Sequence, residues 1–388
     1  MKSEWHKCVL GDIVTFSSGG TPNKSIAEYW NGNIPWISAK TMKNERISSS
    51  DLYITEEGLQ HGSKLAKKGS ILFLVRGSGL FNGIPVCLVE KPVAYNQDVK
   101  CIESCCEVEN IYIFYWLLAQ ANILKGLVGT TTIGAGKFDM DQIKQLEFCY
   151  PDKESRESIV KFAEAISLKI KTNNRINDYL HQQAQSIFNA YYDASDEKKQ
   201  FTSLIHVLGG GTPKTGIPDF WDGAIPFFTP KDTGTPYVFQ TEKNITESGL
   251  QHCNSRLYPK NTTFVTARGT VGKVSLAGKP MAMNQSCYAL VSDVLDPILV
   301  YFYSLRAVDS LKHKAAGSVF DAIVTRDFET EAISVIKDDD SEKVLKAIKP
   351  MMNMIHSNTE EIRRLVALRD TLLPRLMSGE VDVSAIAV

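Results

Sequence analysis

A chain of 388 residues that is 43% hydrophobic and 22% charged is a soluble globular protein of more than one domain, which excludes a long disordered tract. A formal net charge of −1 argues against a basic field over the whole molecule and leaves nucleic-acid binding to local basic clefts. Met1–Val14 carries Glu4, His6, Lys7 and Asp12 and no apolar signal core, and the longest apolar run, Ile111–Leu118, is too short for a membrane span; a cytoplasmic location away from membranes is expected.

In chain order, the first elements are short β-type runs punctuated by Gly and Pro, such as Ile34–Ile37 and Ile71–Val75. A helix is predicted over Asn110–Lys125, followed by a return to strand-like residues. The same series then starts again. Gly19–His61 reads GGTPNKSIAEYWNGNIPWISAK…ITEEGLQH and Gly210–His252 reads GGTPKTGIPDFWDGAIPFFTPK…ITESGLQH, with 17 of 43 positions identical at an offset of 191. Looser correspondences continue: Arg76-Gly77-Ser78 with Arg268-Gly269-Thr270, Asn96-Gln97 with Asn284-Gln285, and Gly129-Thr130 with Gly317-Ser318. The second predicted helix is Pro297–Lys314, with Pro in its first turn. Each half is therefore an α+β domain with an irregular, curled sheet, over residues 1–150 and 198–337. A period of this length makes a duplicated pair and not a solenoid.

A helix follows each domain, the first over 151–197 and the second, with a C-terminal tail, over 338–388. Ile159, Ile166, Asn173, Leu180 and Ile187 recur every seven residues, with Phe162 and Ile176 as a second seam. Leu345, Met352, Thr359, Val366 and Leu373 repeat the pattern at an offset of 186, beside Ile348, Ile355, Ile362 and Leu376. The single polar member of each series, Asn173 or Thr359, sits at its middle, where the midpoints of an antiparallel pair would meet and a polar residue can fix register. The alternative is two helices each packed on its own domain. Pro350 predicts a kink or a late start in the second helix.

Catalytic signatures are missing. Gly209–Thr215, GGGTPKT, has Pro213 where a phosphate loop needs Gly before its Lys, so Gly-Gly-Thr-Pro reads as a tight turn with positive φ angles. Neither D/N-P-P-Y/F/W nor F-x-G-x-G, the methyltransferase loops, is present. Pro151-Asp152 with Asp196-Glu197-Lys198 resembles a nuclease signature only loosely, and Asp152 suits a helix start. The repeat-equivalent His61 and His252 lack a nucleophile partner and read as structural, and the eight cysteines, without a C-x-x-C pair, read as reduced thiols with no metal. No catalytic, cofactor or metal residue is expected.

What remains are polar and basic side chains at turns, suited to phosphates and base edges. The candidates for DNA contact are Lys40, Thr41, Lys43, Arg76, Ser78, Asn96 and Gln97 in the first half. Lys231, Asp232, Arg268, Thr270, Asn284, Gln285, Lys312 and His313 are those of the second. Lys64, Lys67, Lys68 and Lys314 add local charge. Residues common to both halves cannot tell two half-sites apart; readers of sequence should lie where the repeats differ, as in Thr41–Ser50 against Asp232–Tyr237.

Over its whole length the chain resembles the specificity subunits of Type I restriction–modification systems. The resemblance is carried by the doubled G-G-T-P…W-x-G-x-I-P-W/F openings, the R-G-S/T loops, the N-Q pairs and the ending LRDTLLPRLMSGE at Leu368–Glu380. The first helix ends in a looser relative of that motif, QQAQSIFNAYY, without its Pro. The resemblance implies two target-recognition domains joined by two long helices that pair as an antiparallel coiled coil with pseudo-two-fold symmetry. Each domain would read one half of a split double-stranded DNA site, and the helices would measure the unspecific spacer. It also implies two modification (methyltransferase) subunits as partners, together with restriction subunits. S-adenosylmethionine, ATP and Mg would belong to those partners and no cofactor to this chain. A self-contained modification enzyme and a protein-only scaffold are the alternatives.

Overall fold

A computed structural model of the chain describes residues 5–81, 83–132, 134–314 and 322–382. It divides into two compact units, Met1–Leu168 with Leu365–Val388, and Lys169–Arg364. The divisions fall within the long helices because parts of both helices are built into the core of each unit.

In the first unit, Ile71–Leu74 has four consecutive buried residues and takes the centre of a five-stranded sheet. The order is Val14–Ser18, Val99–Ser104, Ile71–Leu74, Val86–Val89 and Arg46–Ile47, antiparallel except for the last pair. A strand covered on both faces loses the in–out alternation, which is why this one reads as an apolar run. A four-stranded sheet sets Trp30–Ile37 between Tyr53–Ile54 and Val93–Tyr95, with Lys64–Ala66 outside. The helix Asn110–Ala119 is apolar all round and correspondingly buried from Tyr112 to Leu117. It stops where Gln120 takes a ψ of 8°, and Ala121–Gly126 continues as a separate short helix.

The second unit repeats this topology. Its five-stranded sheet runs His206–Gly209, Cys287–Val291, Thr263–Thr266, Val274–Ala277 and Tyr237–Val238, and Trp221–Phe228 lies between Lys243–Ile245 and Ala282–Met283. Pro297–Lys314 is its buried helix. The shared W-x-G signature has one cause in both. Asn31 and Asp222 adopt positive φ, 62° and 58°, at a register shift in the long strand. At Gly32 and Gly223 a Cβ would fall 2.4 and 2.5 Å from the carbonyl oxygens of Ile54 and Ile245. The Gly-Gly-Thr-Pro openings need correction. Gly19, Gly20, Gly210 and Gly211 are not among the positive-φ residues; they are glycines because backbone presses on them. A Cβ on Gly19 would meet the Tyr95 carbonyl oxygen at 2.0 Å, and one on Gly210 would meet that of Asn284 at 2.2 Å.

The long helices are Lys153–Asp193 and Asp338–Met377. Asp152 caps the first, accepting hydrogen bonds from the Ser155 backbone N–H and hydroxyl, both at 3.0 Å. In the first unit Ile159, Ala163, Leu373, Leu376 and Met377 join the domain core, Ile166 is buried and Val366 half-buried. The terminal motif ends that helix: Gly379, at φ 75°, packs against Trp5, and Arg375 pairs with Glu380 at 2.7 Å. Arg369 pairs with Glu45 and with Asp370.

In the second unit Ala184, Phe188 and Tyr192 meet Val344, Ile348, Met352 and Ile355, with Leu180, Ile187 and Leu345 partly buried against them. Phe188 contacts Phe302 and Tyr303 at ring distances of 5.4 and 5.0 Å. His181 bonds the Tyr301 hydroxyl at 2.8 Å, and burial holds its imidazole below the usual histidine range. Where Asn173 and Asn177 meet Asn358, Thr359 and Glu361 the seam is polar. Asn173 donates to Glu361 at 2.7 Å, Asn177 donates to Thr359 at 3.4 Å, and Asn358 donates to Asn177 at 2.9 Å. Partners that descend as the first helix ascends make the pair antiparallel. Thr359 thus faces Asn177, one turn beyond Asn173. Ile176 is not a seam residue: it is 38% exposed, whereas Asn177 is buried. The second helix also runs unbroken through Pro350. The carbonyl that Pro350 cannot serve, on Lys346, lies on an exposed turn, and Ile348 and Met352 are fully buried on either side. Among the described residues no helix is long and apolar enough to cross a membrane.

Candidate nucleic-acid interface

In each unit the opening turn and the loops at the ends of several strands are tied together by hydrogen bonds. In the first, the Asn96 N–H bonds the Ile37 carbonyl at 2.9 Å and the Val75 N–H bonds that of Asp98 at 2.9 Å. The Gly77 N–H bonds Gly136 at 3.0 Å, and Thr21 of the opening turn donates to the Gln97 side-chain oxygen at 2.7 Å. The ends of three strands and a hairpin, Gly129–Thr130 with Gly136–Lys137, are thereby tied together. Lys40, Lys43, Arg76, Ser78 and Gln97 are all exposed on these loops. Lys64 pairs across from Tyr95 in the neighbouring strand, and it, Lys67 and Lys68 are exposed.

The second unit makes the same junction. The Asn284 N–H bonds Phe228 at 2.9 Å, the Ala267 N–H bonds Ser286 at 2.8 Å and the Thr270 hydroxyl bonds the Pro230 carbonyl at 2.9 Å. Thr212 donates to Gln285 as Thr21 does to Gln97. Lys231, Arg268 and Gln285 are exposed, with Lys231 also 3.1 Å from Glu242. The Arg268 loop turns through Gly269 at φ 81°. Gly317-Ser318 lie outside the described residues.

Several expected base readers are given internal work instead. Asn96 is 6% exposed, and its side-chain oxygen, like that of Asn284, accepts the backbone N–H two residues on, at 3.1 and 3.0 Å. These Asx turns steer the chain into the next strand. Thr41 both donates to and accepts from the Ser38 backbone at 2.9 Å. The Asp232 carboxylate accepts from the Thr229 N–H and hydroxyl and from the Glu242 N–H, each at 2.7 Å. Lys312 bonds the Gly272 carbonyl at 2.6 Å, its pKa lowered by burial and then by Lys273. His313 is exposed on the last turn of its helix, 3.7 Å from Asp309. Lys314 pairs with the buried Glu331 at 2.6 Å.

The repeated histidines are structural. His61 and His252 bond the carbonyls of Glu57 and Ser248 at 2.9 and 2.7 Å, and they stack on Tyr29 and Phe220. Three residues at these junctions are not among those the sequence singles out. The Thr21 and Thr212 hydroxyls had a signal, identity in both repeats. Lys137 had none, because Ala322 stands in the matching bridge of the second unit.

Two stretches of the chain, 2–182 and 196–366, match the profile of the Type I restriction modification DNA specificity domain. The chain is 23% identical over 412 residues to the Type I restriction enzyme MjaIX specificity subunit of Methanocaldococcus jannaschii, covering 98% of this chain and 94% of that protein. It is 32% identical over 160 residues to the EcoR124I/EcoR124II specificity subunit of Escherichia coli, covering 41% of this chain and 39% of that one. In fold it is similar to the crystal structure of a Type I restriction–modification S subunit from M. genitalium, with a TM-score of 0.57, 14% identity and coverage of 97% and 96%.

Proposed function

Because the chain belongs to the Type I restriction modification DNA specificity family, we infer that it is the DNA-recognition subunit of such a system and reads a bipartite target, one half with each unit. The observation that carries this is the duplicated loop junction, with exposed Lys40, Arg76 and Gln97 in one unit and Lys231, Arg268 and Gln285 in the other. Arginine suits guanine and phosphate, and a carboxamide suits base edges. The paired helices set the length of the unread spacer and form the platform for two modification subunits, which restriction subunits then join. S-adenosylmethionine chemistry belongs to the modification subunits, and ATP with magnesium to the restriction subunits. This chain supplies recognition and no catalysis. Sequencing of methylated sites in the host with and without this gene tests the reading: a bipartite set of sites should vanish with the gene. Methyl transfer by the purified chain alone would overturn the non-catalytic assignment.

Arg76 and Arg268 provide a test of the interface. As phosphate contacts, each Arg→Ala change weakens binding to all sequences and flattens the dependence of log K on log salt by about 0.9. As a guanine reader, the arginine instead contributes about 1–3 kcal/mol at one base position. Titrations at several salt concentrations, on matched and mismatched duplexes, separate the two. Binding unchanged in both variants removes these loops from the interface.

A further inference from the structure

In the first unit Arg76 and Lys137 face each other across an antiparallel bridge, held by the bond from the Gly77 N–H to the Gly136 carbonyl at 3.0 Å. Directly opposed residues on an antiparallel pair carry their side chains on one face, with Cβ atoms about 5 Å apart. Like charges at that spacing repel. Here both residues are exposed, and among the described residues neither side chain has a hydrogen-bond or ion-pair partner. The hairpin brings the second cation to the first on the loop junction, and among the described residues no carboxylate lies within ion-pair distance of either. Its position is fixed on the protein side as well: Gly136 fits against Leu80 and the Gly77 carbonyl, where an added Cβ would lie 2.9 and 3.0 Å away. The second unit has the matching bridge, between Arg268 and Ala322, and there the second cation is missing.

We propose that Arg76 and Lys137 together grip one DNA backbone phosphate, and that the two units hold their half-sites with unequal electrostatic strength because Ala322 stands where Lys137 does. The proposal rests on the DNA-recognition reading above. A phosphate offers anionic oxygens to two donors at once and carries the negative charge that two adjacent cations require, whereas the acceptors of a base edge are neutral. The grip would therefore hold the first half-site without reading it, and sequence discrimination there would come from neighbouring side chains.

The test uses the full chain in complex with its modification subunit, on duplexes carrying both half-sites, titrated from low to physiological salt. Lys137→Ala and Lys137→Gln should each weaken binding several-fold on every sequence and flatten the salt slope by up to about 0.9. The double variant Arg76→Ala/Lys137→Ala should lose less than the sum of the single losses, because both cations share one phosphate. Ala322→Lys should tighten binding on every sequence, most at low salt. An unchanged thermal midpoint shows that each variant is folded. Affinity at low salt unmoved by either Lys137 variant, or losses that add in the double variant, would overturn the shared grip while leaving the recognition function intact. Failure of the unmodified complex to bind any duplex overturns the recognition reading itself.

Discussion

Matched insertions of seven residues after Asn173 and after Thr359 are expected to change the DNA target in one respect only: the spacer grows by about three base pairs. Seven residues add about 10.5 Å of helix and nearly preserve the facing of the seam. Three base pairs of rise are about the same length, and the half-sites stay as they are because the loop junctions are untouched. Four residues add about 6 Å but turn the seam by roughly 40°, and are tolerated less well. An insertion in one helix alone mismatches the bonds of Asn173 to Glu361 and Asn177 to Thr359 and strains the pair. Methylation-site sequencing with the inserted variant in its complex gives the answer directly. An active variant with the original spacer, or with new half-sites, shows that the helices do not measure the distance.

The largest effect on stability is expected at Phe188. It is fully buried against Phe302 and Tyr303, and it ties the first long helix to the second unit's core. Phe188→Ala removes that ring and leaves a cavity, costing about 3–5 kcal/mol. For a unit of this size each kcal/mol lowers the thermal midpoint by about 2–4 °C. Ile176→Ala, twelve residues earlier and on the exposed face, should stay within about 0.5 kcal/mol. Thermal unfolding of the two variants side by side is the check. Equal midpoints would mean that Phe188 does not anchor the helix.

The contrast between Phe188 and Ile176 marks how far the sequence is legible. The duplication, the sheet-forming runs and the seven-residue period are visible because each is a repetition, and repetition survives without knowledge of contacts. The seam is visible only while it is apolar. An α-helix drifts against a strict seven-residue period, and at Asn177 it turns a polar residue inward because Asn358 and Thr359 meet it. A count of hydrophobic positions selects Ile176 there instead. The site was half legible for a similar reason. Exposed Arg76, Arg268, Gln97 and Gln285 stand out as residue types repeated at turns. Asn96 and Asp232 have equally suggestive chemistry, but their acceptors are occupied by backbone N–H groups that the sequence does not display. Lys137 reaches Arg76 through a hairpin closed by backbone bonds, and nothing in the spacing announces that meeting.

The first unit is discontinuous, built from Met1–Leu168 and Leu365–Val388, and this gives its assembly an order in time. A ribosome releases Ile159 and Ala163 long before Leu373, Leu376 and Met377, which complete the same core. The unit encoded first is thus the one finished last, whereas the second unit is contiguous and has all its residues once Arg364 emerges. Domains fold as units when their residues are available. The nascent N-terminal domain must therefore wait with an open apolar flank through nearly two hundred further residues of synthesis. A nonsense codon shortly after Arg364 would spare the later-made domain and cripple the earlier one.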